Sequence, residues 1–164
     1  MRSTRRIFSV GAAALMLGAG LLAGTSGAAH AAASDCEGGK AGFTDIPNSL
    51  SGTGVAGAGA LVIDHPQAVV SYAMQTGNVG GRQMGWGALS SNTMGPGAVG
   101  QVWMDVTNDN KQSWIQCGPF YLRSAGRITT AAYPTSSSSS RAFRVCARLA
   151  SPVRDSGITC TPWW

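Results

Sequence analysis

Apolar and polar residues alternate along several short segments of this chain. Over residues 99–107 the even-numbered apolar residues face one side of an extended strand and the odd-numbered residues face the other: Val102, Met104 and Val106 against Gln101, Trp103, Asp105 and Thr107. A period of two predicts a β-strand with one face in a protein core. Runs rich in β-branched and aromatic residues or with the same alternation predict further strands at residues 67–74, 113–122, 127–133 and 141–149, and a short last strand holds Ile158 and Cys160.

Helical spacing is missing from the sequence pattern, since no window of about ten residues repeats apolar positions every three or four residues. Short strands separated by turn residues predict an all-β fold, namely an antiparallel β-sandwich, either immunoglobulin-like or a small barrel. Many of the 23 glycines fall in residues 51–59 and 77–100. We predict loops there, and a connection as long as the second is usually functional or disordered.

A cluster of turn-forming residues, Asn108, Asp109 and Asn110, separates two of the predicted strands. Asn and Asp tolerate the left-handed backbone and bond their own main chain, so this cluster predicts a hairpin turn. The alternative interpretation is a calcium site that uses Asp105, Asn108 and Asp109, because calcium takes several oxygen ligands. That spacing lacks the glycine and the bidentate glutamate of an EF-hand.

The first residues have the organisation of an export signal. Arg2, Arg5 and Arg6 precede an apolar, Gly-rich run, and small residues then fit a cleavage rule after Ala31 or after Ala33. The arginine pair fits a twin-arginine signal as well as a general secretory one. We therefore predict a signal peptide over residues 1–33 and a single secreted β-domain over residues 34–164, with no membrane association after cleavage.

The basic charge belongs largely to that signal. The whole chain has a formal net charge of +5, from 12 basic and 7 acidic residues, and the signal takes three of the arginines. The nine basic and seven acidic residues that remain give the mature part about +2. Nucleic-acid binding therefore loses its main support, and no nucleic-acid partner is expected.

All four cysteines, Cys36, Cys117, Cys146 and Cys160, lie in the predicted mature part. An even number in an exported chain predicts two disulfides, for which three pairings exist. We favour the short local loop Cys146–Cys160, which leaves Cys36–Cys117 to tie the amino-terminal segment to the body. A zinc site is disfavoured because no two cysteines form a C-x-x-C pair.

Proton-handling side chains are scarce in the mature part, where His65 is the one histidine and Glu37 the one glutamate. Acid-base and nucleophilic catalysis draw on His, Glu and Asp held in pairs or triads. Asp64 and His65 are adjacent, and on a strand they point to opposite faces, so a Ser-His-Asp site is disfavoured. We expect no enzyme activity, no catalytic residues, no metal and no cofactor.

The sequence instead favours a binding surface on the 77–100 loop. Trp86 stands between two glycines, and tryptophan and arginine are frequent interface anchors, so the expected partner-binding residues are Arg82, Met84, Trp86 and Met94. A plug folded back onto the sandwich is the equal alternative for Trp86. Trp103 and Trp114 flank the predicted hairpin and are expected to pack across the strands.

Three binding functions fit these residues. The first is a secreted protein-binding module that docks onto a protein partner. The second is a carbohydrate-binding module that uses exposed tryptophans such as Trp86 or Trp164. The third is a secreted protease inhibitor that presents the loop around Arg82 and Met84 to a protease cleft.

The last 65 or so residues resemble small exported β-domains of actinobacteria. The resemblance lies in the spacing of four elements: Val102-Trp103 with Asp105; Trp114 with Cys117-Gly118-Pro119-Phe120; residues 141–146, RAFRVC; and Cys160-Thr161-Pro162-Trp163. Such domains include the adaptor subunits of secreted umbrella toxin particles, which link a lectin-bearing subunit to a long stalk. The resemblance implies a non-catalytic adaptor in a secreted toxin assembly.

Overall fold

The computed structural model describes residues 32–63 and 68–164, in which nine strands form two antiparallel sheets. Two short 3₁₀ segments, Ala33–Asp35 and Glu37–Gly42, precede the strands. The strands are β1 (Thr53–Ile63), β2 (Ala68–Val79), β3 (Arg82–Thr93), β4 (Val99–Thr107), β5 (Ile115–Leu122), β6 (Gly126–Thr129), β7 (Tyr133–Pro134), β8 (Ala142–Ala150) and β9 (Asp155–Cys160).

The two sheets face each other as a sandwich. The first sheet has the order β1-β2-β3-β6, with β7 also paired to β3, and the second has the order β5-β4-β8-β9. The predicted antiparallel sandwich is therefore confirmed, whereas a closed barrel is not formed. Within the described residues, no helix has the length and hydropathy to cross a membrane.

The main core fills the space between the sheets, as the alternation along β4 predicts. Val102, Met104 and Val106 are fully buried. The register places them opposite Ala147, Val145 and Phe143 of β8, which are also buried. Val70, Met74 and Leu89 of the first sheet close the same cluster from the other side.

Residues 77–100 contain the turn of the β2–β3 hairpin and the whole of β3, which corrects the prediction of a long loop there. Strands β2 and β3 are joined by Gly80 and Gly81, both with positive φ, and β3 continues to Thr93. The glycines of β3 mark close packing: a Cβ on Gly85 would lie 2.6 Å from the Met74 side chain, and one on Gly87 would lie 3.1 Å from Val145. Local glycine content therefore does not indicate a loop in this segment.

Residues 51–59 were also predicted as a loop, and most of them belong to β1 instead. Gly59 shows why this edge strand is poor in large residues. A Cβ at Gly59 would lie 2.4 Å from the ring of Tyr72 on β2, so the bare backbone makes room for the aromatic side chain.

Both favoured disulfide pairings are confirmed. Cys36–Cys117 ties the amino-terminal segment to β5, with the Cα atoms 5.4 Å apart. Cys146–Cys160 crosses from β8 to β9 between residues that are opposite each other in the register. Disulfides of this kind are typical of proteins of oxidising compartments.

Candidate functional site

The four residues expected to bind a partner do not form a common exposed surface. Arg82 is exposed at the start of β3, whereas Met84 and Trp86 are buried and Met94 is half-buried against the main core. The expectation of an exposed loop that presents all four residues is therefore wrong. Arg82 and Met84, which the inhibitor hypothesis places on a loop, belong to strand β3 and follow the turn at Gly80 and Gly81.

Trp86 lies on the outer face of the first sheet, beneath residues 43–52. Gly85 and Gly87 face the core, so the side chain between them points the other way, where it clusters with Met84, Ala132, Ile46 and Leu50. Its side chain is 0 % exposed, and its Nε1 atom has no hydrogen-bond partner among the described residues. Trp86 therefore folds back onto the sandwich, as the alternative interpretation predicts.

The segment over Trp86 is fastened by backbone and side-chain hydrogen bonds. Thr44 and Ala132 exchange two backbone bonds of 2.8 Å. The Arg127 guanidinium donates to the carbonyl oxygens of Asn48 (3.1 Å) and Leu50 (3.0 Å). This part of the first sheet's outer face is therefore closed by the chain itself.

The outer face of the second sheet is organised in rows that cross the strands. The odd-numbered residues of β4 point outward, and the register aligns each with residues of the neighbouring strands. The first row is Tyr121, Gln101, Arg148 and Ile158; the second is Trp103 and the Cys146–Cys160 disulfide; the third is Gln116, Asp105 and Arg144. The alternation along β4 predicts that Gln101, Trp103 and Asp105 share a face, but it does not predict which residues of β5, β8 and β9 align with them.

The first row and Trp103 form the floor of a groove with a volume of about 810 Å³. One wall is the amino-terminal segment, which contributes Ala32, Ala33, Ser34 and Glu37. Pro119 and Phe120 of β5 supply further apolar lining. Tyr121 and Ile158, at the two ends of the row, are 47 % and 65 % exposed. The groove is therefore open to solvent and has apolar ends.

Arg148 is held in place within the groove floor by Asp155. Its Nε atom lies 2.9 Å from both carboxylate oxygens, and Nη2 also bonds to Oδ2. The hydrogen bond from this guanidinium, helped by the backbone N–H of Gly157, lowers the pKa of Asp155 to about 2. Arg148 therefore reaches the groove as part of an ion pair.

Beyond the second row, Arg144 lies between two tryptophans. Its guanidinium carbon is 5.1 Å from the ring centre of Trp114 and 4.6 Å from that of Trp163. Trp114 therefore packs against Arg144 and Trp163, not against Trp103 as the prediction of cross-strand packing had it. Cation–π contacts of this kind order both rings.

Asp105 forms an ion pair with the guanidinium of Arg144. Its Oδ2 accepts a hydrogen bond of 2.7 Å from Arg144 Nε, and its side chain is almost fully buried. Burial raises the pKa of Asp105, and the hydrogen bond and charge of Arg144 oppose that shift. The other carboxylate oxygen, Oδ1, has no partner among the described residues.

The hairpin turn predicted between β4 and β5 is confirmed. Asn110 and Lys111 have positive φ values of 59° and 70°, as the turn interpretation requires. The Asp109 carboxylate accepts bonds from Thr107 Oγ1 (2.7 Å) and from the backbone N–H of Ser113 (3.0 Å). The hydrogen bond from the Ser113 hydroxyl, followed by those from the Ser113 backbone and Thr107, lowers the pKa of Asp109 to about 2.

The calcium alternative gains no support from this geometry. Asp105 is occupied by Arg144, whereas Asp109 is bonded within the turn. In the part of the chain that the structure describes, no three His, Cys, Asp or Glu side chains are grouped to hold a metal ion. Asp64 and His65, weighed for catalysis, lie outside the described residues.

Exposed apolar side chains are concentrated on the second sheet. Of the described residues, the large hydrophobic side chains that remain exposed all lie on this sheet, on its connections or on the carboxyl-terminal segment paired with β8: Trp114, Ile115, Tyr121, Val153, Ile158 and Trp164. Tyr121 and Ile158 line the groove, and Trp114 packs on Arg144 of the third row, so the outer face of this sheet is the candidate binding surface.

No family model, curated protein or solved structure matches this chain.

Proposed function

We propose that this protein is a secreted, non-catalytic protein-binding module that docks another extracellular protein on the outer face of its second sheet. The observation that carries the proposal is the pair of exposed apolar side chains, Tyr121 and Ile158, that line the groove at the two ends of the first row. Exposed apolar side chains around a groove are typical of an interaction surface.

Tyr121 and Ile158 are the proposed anchors of the interface. They stand at the two ends of the first row, with Gln101 and Arg148 between them. Tyrosine supplies a large apolar area at low cost in conformational entropy, which makes it a frequent hot-spot residue. An apolar side chain of a partner would therefore pack against each of these two residues.

The floor of the groove is held rigid before any partner arrives. The Cys146–Cys160 disulfide lies in the second row, and Asp155 fixes Arg148. Few side chains must then be ordered on binding, which lowers the entropic cost of association. Rigidity of this kind suits a linking subunit that holds two other components in a set geometry.

Export is part of the proposal. The amino-terminal sequence has the features of a signal peptide, and the two disulfides fit an oxidising compartment. The resemblance of residues in β4, β5, β8 and β9 to adaptor subunits of umbrella toxin particles suggests the setting, a secreted toxin assembly. Partner binding by the face does not depend on that setting.

A double variant tests the proposal. The exported protein is immobilised and exposed to culture supernatant of the producing cell, and captured proteins are identified by mass spectrometry after cross-linking. Tyr121→Ala combined with Ile158→Ser should abolish capture and keep the melting temperature close to that of the unsubstituted protein, because both side chains are exposed.

Val153→Ser provides the matched control. Val153 is 80 % exposed in the connection between β8 and β9 and does not line the groove. This variant should capture the partner as the unsubstituted protein does. Equal capture by the double variant and the control would refute the proposed face.

Carbohydrate binding is the second candidate, favoured by one feature of the groove. Gln101 has no side-chain hydrogen-bond partner among the described residues, and Gln116 makes only a long bond of 3.4 Å to the Gly118 carbonyl oxygen. Amide groups beside the rings of Trp103 and Tyr121 suit sugar hydroxyls and sugar faces. Retarded migration in gels that contain a soluble polysaccharide, lost in Gln101→Leu, would favour this candidate over the first.

A further inference from the structure

The amino-terminal wall of the groove depends on the first residues that the structure describes. Ala32 and Ala33 both line the groove, and the disulfide at Cys36 fixes the segment to β5. Lys40 Nζ donates to the Ser34 carbonyl oxygen at 2.7 Å. Of the two cleavage positions that the sequence offers, the one after Ala31 lies immediately before this wall and the one after Ala33 lies within it.

Ala32 and Asp35 are joined by two hydrogen bonds. The backbone nitrogen of Ala32 lies 2.7 Å from Asp35 Oδ2, and the backbone N–H of Asp35 donates to the Ala32 carbonyl oxygen at 2.9 Å. The carboxylate thus faces a nitrogen whose chemistry depends on processing. In the continuous chain that nitrogen is a peptide amide with a single N–H.

We propose that the chain is processed between Ala31 and Ala32, and that the new α-ammonium group of Ala32 forms an ion pair with Asp35. The reaction is a peptide hydrolysis by an exported-protein peptidase that accepts small side chains. Water supplies the oxygen of the Ala31 carboxylate, and the released amine of Ala32 takes up a proton. Ala29 and Ala31 supply the small residues that such a peptidase requires.

Cleavage after Ala33 would produce a different amino terminus. It would remove both hydrogen bonds between Ala32 and Asp35, together with the Ala33 carbonyl oxygen that accepts the backbone N–H of Cys36 at 3.1 Å. It would also delete two of the residues that line the groove. Cleavage after Ala31 preserves all of these contacts and adds a positive charge to the donor of one of them, so that the bond between Ala32 and the Asp35 carboxylate becomes an ion pair.

The processing site is tested by producing the full chain in a secreting host. Intact mass and amino-terminal sequencing of the exported protein should give a chain that begins at Ala32. A chain that begins at Ser34, or one that keeps residues before Ala32, would overturn the proposal.

The ion pair is tested separately, with a reagent that acylates free amino termini. At low ionic strength the Asp35→Asn variant should be labelled at Ala32 about twofold faster than the unsubstituted protein, the size of effect expected of an exposed ion pair. Glu37→Gln is the matched control, because it removes a neighbouring carboxylate for which no bond to Ala32 is found. Equal labelling rates in the two variants would overturn the ion pair.

The processing step rests on the export that is part of the proposed function, and the role of this wall in the groove rests on the proposed partner binding. The mass and labelling measurements require no partner. Loss of partner binding would therefore leave this inference standing, and a different amino terminus would leave partner capture by Tyr121 and Ile158 open to its own test.

Discussion

The two outer faces of the sandwich both contain a large tryptophan, and the chain treats them differently. On the first sheet, Trp86 is fully buried, and Ile46 and Leu50 of the segment 43–52 pack against it. On the second sheet, Trp103 remains at the bottom of an open groove and is 8 % exposed. The difference shows that a tryptophan's neighbours in sequence do not decide whether its side chain stays accessible; the presence of a covering segment does.

Residues 43–52 cover part of the first sheet because the hydrogen bonds that hold this segment come from residues of that sheet. Arg127 bonds two carbonyl oxygens of that segment and the side chain of Gln75 on β2. Gly52 completes the fit, since a Cβ there would lie 2.6 Å from the indole of Trp86. On the second sheet the amino-terminal segment lies only along one side of the groove, where the Cys36–Cys117 disulfide attaches it to β5.

The largest effect should come from the covered face. Trp86→Ala removes a fully buried side chain, and we expect the free energy of unfolding to fall by about 3–5 kcal/mol, the usual range for a buried tryptophan. Urea denaturation measures this loss. Trp86→Phe is the control, since it keeps most of the volume and deletes an unpaired N–H, and it should lose much less.

A smaller effect is expected at the third row of the open face. Arg144→Met leaves the buried Asp105 carboxylate without its partner, which should lower the free energy of unfolding by about 3 kcal/mol. Adding Asp105→Asn removes the orphaned charge and should restore part of the loss, again by urea denaturation. A double variant no more stable than Arg144→Met alone would mean that the tryptophan contacts of Arg144 matter more than the ion pair.

The smallest effect concerns acid stability at the edge of the open face. The folded-state pKa of Asp109, about 2, lies below its ordinary value, so its ionised form stabilises the fold above pH 4. That contribution is lost as the pH falls towards 2. Asp109→Asn should therefore show a shallower fall in melting temperature between pH 4 and pH 2; curves that run parallel would contradict the role of the turn carboxylate.

Much of the second sheet could be predicted from sequence, because its strands bury one face and alternate accordingly. The run 99–107 coincides with β4, and 141–149 matches β8 within one residue. In β1 and β3, glycines stand where the opposite sheet or a neighbouring ring comes close, as Gly59 does at Tyr72. That requirement is set by residues distant in sequence, so a local pattern of glycines was interpreted as loops.

The candidate site was missed for a related reason. Tyr121 and Ile158 lie in one row because of the register of four strands. That register includes a bulge between Val102 and Met104, where β4 pairs with β5. A shift of one residue would send these side chains to the core. Alternation along single strands showed which residues point outward, but it did not show which of them become neighbours.

The first row also fixes the distance between Tyr121 and Ile158. Tyr121 and Ile158 are three inter-strand steps apart, and a step of about 4.8 Å puts their backbones roughly 14 Å from each other. An extended chain covers that span in about four residues, at roughly 3.3 Å each. Backbone hydrogen bonds set this spacing. A partner chain whose two bulky side chains are closer together or farther apart than the row requires would therefore contact Tyr121 or Ile158, but not both.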